Sequence, residues 1–176
     1  MSKLYLTSDW HLGHTNVAKW RVDGGGTPFS VETHDEYLLD MYLNTVKKRD
    51  IVYFLGDIIM SRKYLEVVRD LPGRKILIMG NHDDDHLSDR DDPITCRELV
   101  NVYDAVHGFH RKNRLWLSHA PIHPSELRGK FNVHGHTHQN NIDDTRYYNV
   151  CVEQTGYQLI LWQEVLGYLH RVNSEE

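Results

Sequence analysis

Residues of metal-binding type recur along this chain at the ends of strand-like runs. They fall in Asp9-Trp10-His11, Gly56-Asp57, Gly80-Asn81-His82-Asp83, the lone His119, and Gly135-His136-Thr137-His138. Carboxylates, imidazoles and one amide oxygen are the donor mixture that holds two divalent cations close together. Asp9-x-His11 is read as extended backbone, whose side-chain period of two turns both groups to one side and toward one ion. His136-x-His138 repeats that device. The glycine before Asp57 lets the backbone approach a neighbour, and a carboxylate there can bridge two cations. Asn81 adds a neutral oxygen.

Taken singly, each segment has a plain explanation. An aspartate after a strand is usually a turn or cap residue, and Asn-His-Asp in a loop is usually just polar. All five in one order, each at a strand end, select the metal reading. The chain has 13 histidines in 176 residues; His86, His107, His110 and His170 lie outside the motifs and are read as surface residues.

The elements that must position these groups follow from the hydrophobic pattern. A strand at Leu4–Ser8 runs into Asp9, and a long loop from Trp10 to Ser30 carries the flexible Gly24-Gly25-Gly26. Thr33-x-x-Glu36 has the form of a capping box and opens a helix with Tyr37, Leu38, Met41, Tyr42, Thr45 and Val46 on one face. Ile51–Leu55 is an uninterrupted apolar strand ending at Gly56-Asp57. Ser61 caps a second helix with Tyr64, Leu65, Val68 and Leu71 inward, stopped by Pro72-Gly73, and Ile76–Met79 is the next buried strand. This β-helix-β-helix-β order predicts a parallel sheet with right-handed crossovers, whose ligands sit beyond the carboxyl ends of the strands. Short strands at Tyr103–His110, Leu115–Ser118, Phe131–His134 and Tyr147–Glu153 predict a second, mixed sheet. Leu161–Leu169 predicts a terminal amphipathic helix, and the acidic stretch from Asp83 to Asp92 a solvated loop beyond Asp83.

The bounds agree with an ordinary globular protein. The chain is 40% hydrophobic and 26% charged, with a net charge of −5, a pI near 6.2 and a mean hydropathy of −0.57. Its length suits one domain, residues 1–176, burying roughly 70% of its unfolded surface. The acidic balance argues against a non-specific nucleic-acid or anionic-membrane binder, although two bound dications would reverse the local sign. Cys96 and Cys151 form no C-x-x-C pair. They are read as reduced core thiols, with a single disulfide as the alternative. The chain shows no signal-peptide pattern and no apolar run near the ~20 residues of a membrane helix, so a cytoplasmic protein is expected.

The set Asp9-x-His11, Gly56-Asp57, Gly80-Asn81-His82-Asp83, His119 and Gly135-His136-x-His138 resembles the calcineurin-like metallophosphoesterases. The start Ser8-Asp9-Trp10-His11-Leu12-Gly13-His14-Thr15-Asn16 is similar to their small bacterial and phage members. The resemblance implies an α/β fold (α+β in some schemes), a β-sandwich of two mixed sheets flanked by helices in four αββα layers. It implies that Asp9, His11, Asp57 and His138 hold one metal and Asp57, Asn81, His119 and His136 a second. A water between the ions would be the nucleophile for in-line attack on a phosphate mono- or diester. His82 would bind phosphate and protonate the leaving oxygen, oriented by Asp83. Mixed oxygen and imidazole donors favour Mn²⁺ first, then Fe, Zn²⁺ or Ni²⁺, over Mg²⁺.

Outside the family's motifs, His14 either reaches a substrate phosphate or makes a structural hydrogen bond. His134 points away from His136 by alternation and is read as packed. Arg128 and Lys130 belong to a loop beside the site, solvated by default, with Arg128 a candidate substrate contact. Tyr148, Asn149 and Glu153 are assigned to the second sheet. A small phosphoester or nucleotide is the expected substrate, with no membrane and no obligate protein partner. Two rivals are a nuclease acting on DNA or RNA, disfavoured by the charge, and a metal-bound binding scaffold without turnover. The scaffold requires a lost ligand or a lost His82, and here every position is filled.

Overall fold

The computed structural model describes residues 1–84 and 93–174. In chain order these form β1 (Leu4–Thr7), α1 (Thr15–Asp23), α2 (His34–Thr45), β2 (Ile51–Phe54), α3 (Leu65–Asp70), β3 (Arg74–Ile78), α4 (Cys96–Val102) and β4 (Ala105–His107). There follow β5 (His110–Lys112), β6 (Leu115–Ser118), β7 (Phe131–His134), β8 (Tyr147–Asn149), β9 (Ile160–Leu161) and α5 (Trp162–Ser174). The strands make two mixed sheets, in the order β4-β3-β2-β1-β9 and β5-β6-β7-β8. In the first, β1 to β4 are parallel and β9 is antiparallel to β1. In the second, β6, β7 and β8 are parallel and β5 is antiparallel.

Alternation along the strands of the first sheet divides the apolar residues between two cores. Val52 and Phe54 join Trp10, Leu38, Tyr42, Leu77, Leu99 and Tyr103 in the core beneath α2, α3 and α4. Tyr53, Leu55, Leu6 and Ile78 face the other way, toward Leu117 and Val133 of the second sheet and Trp162 and Val165 of α5. The expected helix-flanked sandwich of two mixed sheets is what the chain forms. The two sheets meet where their parallel strands end. Ser8, just past β1, bridges Cys151, just past β8, and Ser8 Oγ donates to the Leu55 carbonyl at 2.6 Å.

Several elements differ from the sequence reading. The Trp10–Ser30 segment contains α1, whose buried face consists of Ala18 and Arg21. A buried arginine leaves no apolar stripe for periodicity to detect. Thr33 does precede α2, but its hydroxyl accepts from the Ser30 amide at 2.9 Å, so no capping box forms there. The capping box lies at Thr95 and Glu98, opening α4. Ser61 makes no side-chain cap, and a 3₁₀ turn at Arg62–Tyr64 precedes α3. The run Tyr103–His110 divides: β4 completes the first sheet, and after Gly108-Phe109 the chain enters the second as β5. Cys96 is exposed rather than in the core, whereas Cys151 is buried, and both are free thiols. His86 and the acidic stretch from Asp85 to Asp92 lie outside the described residues.

Trp10 anchors the loop that carries Asp9 and His11. Its ring is fully buried, edge-on to Tyr42 at 5.8 Å and to Phe54 at 5.4 Å, and its indole N–H donates to Thr7 Oγ1 at 2.7 Å. Truncating a buried tryptophan costs about 3–5 kcal/mol. Trp10→Ala is expected to lower the unfolding free energy by about that amount in urea denaturation. A change below about 1 kcal/mol would show that the ring does not hold this loop.

Candidate metal centre

The residues singled out by spacing converge at the shared carboxyl edge of the two sheets, but not through extended backbone. Asp9 (φ 60°), His11 (φ 54°), Asp57 (φ 56°), His136 (φ 68°) and His138 (φ 49°) all adopt left-handed conformation. Each such residue costs roughly 1–2 kcal/mol against the right-handed alternative, with Asp, Asn and His the most tolerant. Specific bonds hold them there. The Asp9 amide donates to the Gly56 carbonyl (3.0 Å), the His11 amide to the Asp57 carbonyl (3.0 Å) and the His136 amide to Asp9 Oδ2 (2.9 Å). The chain reverses at these five residues, so the donors of Asp9-x-His11 meet by reversal and not by pleat.

Two of the motif glycines are set by close approach. A Cβ on Gly56 would stand 2.6 Å from the Gly80 backbone, and one on Gly135 would stand 2.5 Å from Asp9 Oδ2. The Gly-Asp and Gly-His pairs are therefore packing requirements of the site itself.

Two donor groups result. In the first, His11 Nε2 and His138 Nε2 lie 3.7 and 3.8 Å from Asp9 Oδ1. In the second, His119 Nε2 lies 3.3 Å from Asp57 Oδ2, 3.2 Å from His136 Nδ1 and 2.9 Å from Asn81 Oδ1. Within each triad of histidines and aspartate, one donor atom per residue falls within 4.8 Å of the others.

These atoms fit a cation. Asp9 Oδ1 and both ring nitrogens of His11 are buried without a hydrogen-bond partner, a state that costs several kcal/mol unless a ligand satisfies it. His119 Nδ1–H donates to the Leu55 carbonyl at 2.7 Å, which turns Nε2 toward Asp57, Asn81 and His136. Burial lowers the His119 pKa, but the Asp57 and Asp9 carboxylates outweigh it and raise it to about 9. Burial also works against ionisation of Asp9, yet His11, His119 and His138 hold its carboxyl well below the usual carboxylate range. The site is thus strongly electronegative, and it draws positive charge to the point where donors converge.

Further side chains organise the donors, and spacing did not reveal them. Glu153 is one. His138 Nδ1–H donates to its Oε1 at 2.9 Å, which aims Nε2 at Asp9, and Arg21 Nε donates to the same oxygen at 2.7 Å. Orientation of this kind fixes the tautomer of a metal-ligating histidine. Arg21, buried in α1, also donates to the main-chain carbonyls of Asp9 (2.5 Å) and Trp10 (3.0 Å). Its only mark in the sequence is a charge within a segment that reads as loop, and its partner Glu153 lies 132 residues away.

Asp83 has a backbone role that the sequence did not reveal. Its buried carboxylate accepts from the amides of Gly80 (2.8 Å), Asp57 (3.0 Å) and Ile58 (3.2 Å). It therefore ties the β2 and β3 end loops together. Burial, then the neighbouring Asp57, pushes its pKa up to about 6. His82 is exposed, with its ring centroid 6.1 Å from that of His11 and its amide donating to Asp57 Oδ1 at 2.9 Å. His14 makes a structural hydrogen bond, its Nδ1 accepting from the Val17 amide at the start of α1, with the ring 6.1 Å from His11. His134 is packed, its Nδ1–H donating to the Gly135 carbonyl at 2.8 Å. Arg128 is exposed, pairs with Glu126 at 3.1 Å and lines a cleft beside the second donor group.

The sequence profile of the calcineurin-like phosphoesterases matches residues 2–175. The Gene 66 protein of Mycobacterium phage D29 is 36% identical over 171 residues, covering 82% of this chain and 83% of that protein. An uncharacterized protein of Methanocaldococcus jannaschii is 33% identical over 85% of this chain and 77% of its own length. A crystal structure of a protein of unknown function from Aquifex aeolicus superposes with a TM-score of 0.70 at 26% identity, over 95% of this chain and 99% of that one. With the motif residues gathered at one sheet edge and the profile spanning nearly the whole sequence, the chain belongs to the calcineurin-like phosphoesterase family.

Proposed function

We propose that this chain is a two-metal phosphoesterase. Asp9, His11 and His138 hold one divalent cation, Asn81, His119 and His136 the second, and Asp57 serves both. Membership of the family implies metal-dependent phosphoester hydrolysis. The observation that carries the finer reading is the pair of adjacent donor groups, one of which keeps three buried atoms without partners. The donor mixture favours Mn²⁺, Fe, Zn²⁺ or Ni²⁺.

Bound cations supply Lewis acidity, offsetting the charge of the phosphate and acidifying water. The chain's own groups do the rest. Asp83 and Arg21 fix the loops that present the donors, Glu153 sets the His138 ring, and the exposed His82 provides a proton for the departing oxygen. With a net charge of −5, a small soluble phosphoester suits the protein better than polymeric nucleic acid.

Two measurements test this reading. Elemental analysis of the Mn²⁺-saturated protein is expected to give two ions per chain, with both weakened by Asp57→Ala, the first chiefly by Asp9→Ala and the second chiefly by His119→Ala. A single ion at saturation would overturn the two-metal assignment. The second compares leaving groups. General-acid assistance is typically worth about 10²–10⁴ in rate, and a strongly basic alkoxide needs it far more than p-nitrophenolate does. His82→Ala is expected to slow alkyl esters much more than p-nitrophenyl esters. Equal losses on both would leave His82 as a phosphate contact only.

A further inference from the structure

Seven large hydrophobic residues are exposed among the described residues, and only Trp20 and Phe109 of these are aromatic. Both stand beside the candidate metal centre, on different sides of it. Scattered surface aliphatics need no special account, but two solvent-facing rings at one site do. On the side of the second donor group, a cleft of about 890 Å³ is lined by Met79, Phe109, Trp116 and Ile122 together with Asn81 and His119. Phe109, 61% exposed, lies with its ring centroid 5.5 Å from that of Trp116. On the side of the first group, Trp20, 45% exposed, stands edge-on to His138 at 5.6 Å. It walls a smaller hollow of about 420 Å³ with His138, Gln139 and Asn140. His136 lines both hollows.

A phosphate seated at the donor groups would therefore have an aromatic wall on either hand. A monoester has one organic arm and can use one wall, whereas a diester has two arms leaving phosphorus in different directions. Charge points the same way. The larger cleft is walled mainly by apolar side chains, and a diester carries a single negative charge where a monoester near neutral pH carries almost two. Cations border the Trp116 face, with Lys130 Nζ at 5.5 Å and Arg111 Cζ at 5.9 Å from its ring, and a ring bearing an anionic substituent suits that setting.

Resting on the phosphoesterase reading above, we infer that the substrate is a phosphodiester with a planar ring on each arm, one lying against Phe109 and Trp116 and the other against Trp20. Water adds its oxygen to phosphorus and one ester P–O bond breaks. The released oxygen takes a proton, giving a phosphomonoester and an alcohol or phenol.

The test uses the full chain loaded with Mn²⁺ and three chromogenic esters: p-nitrophenyl phosphate, methyl p-nitrophenyl phosphate and bis-p-nitrophenyl phosphate. The wild type is expected to show kcat/KM rising in that order. Stacking of a planar ring on an aromatic side chain is worth about tenfold or more in affinity. Trp20→Ala should therefore reduce the ratio of bis-ester to methyl-ester kcat/KM about tenfold, through KM. Phe109→Ala should raise KM for every ester with a ring. An independent binding readout is the tryptophan fluorescence change on adding diphenyl phosphate or phenyl phosphate, with tighter binding of the diphenyl compound expected. Turnover in which the monoester is preferred, or in which Trp20→Ala leaves the ratio unmoved, would overturn the two-armed assignment while the phosphoesterase reading stands. Absence of turnover on all three esters would overturn both.

Discussion

A buried carboxylate sets the terms for this structure. Asp9 has no exposed surface, and only one of its oxygens is satisfied, by the His136 amide and the Cys151 thiol. The other oxygen faces His11 and His138. An ionised group taken out of water costs several kcal/mol unless charge and hydrogen bonds are returned to it. The neighbourhood is arranged to return them: three histidines lower its pKa, and Arg21 clamps the main chain on either side. The thiol of Cys151, pushed far above its ordinary pKa by burial and by Asp9, stays protonated and serves as a donor. Removing any one of these partners exposes the same unmet charge, which is why residues from such distant parts of the chain form one cooperative unit.

The same need accounts for the local strain. Left-handed backbone at five donor residues is expensive, and the fold tolerates it because the amides of Asp9, His11, Asp57 and His136 find carbonyl or carboxylate acceptors. Asp83 extends this logic one layer out, satisfying three backbone N–H groups with one carboxylate. An aspartate in that place organises the strand-end loops, a role that its position next to His82 does not disclose in the sequence.

Strand ends and glycines made much of this legible in the amino-acid sequence. Ile51–Phe54 and Ile76–Ile78 are apolar because both faces are covered, and the glycines after them have close neighbours that forbid a side chain, so the pattern carried direct physical information. Polar packing carried none. The α1 helix buries Ala18 and Arg21, a combination with no hydrophobic period, and the Arg21–Glu153–His138 chain joins residues far apart in sequence. Thr33-x-x-Glu36 and Thr95-x-x-Glu98 are equivalent as strings. They differ because the turn at Ser30 captures the Thr33 hydroxyl, a competition visible only in three dimensions. Backbone handedness at Asp9 and His11 was likewise hidden, since extended and reversed segments can deliver the same two side chains to one point.

The seam at Ser8 and Cys151 has a mechanical corollary. Asp9, His11, Asp57 and Asn81 follow strands of the first sheet, while His119, His136 and His138 follow strands of the second, and each donor group draws on both. A cation bound there is a clasp between the two halves of the sandwich, and its affinity is at the same time cohesion of the fold. By linkage, saturation at a hundred times the dissociation constant adds about 2.7 kcal/mol to stability. With the proposed cations bound, the candidate site and the joint between the sheets would be one object, and the stability of the fold would follow the free metal concentration.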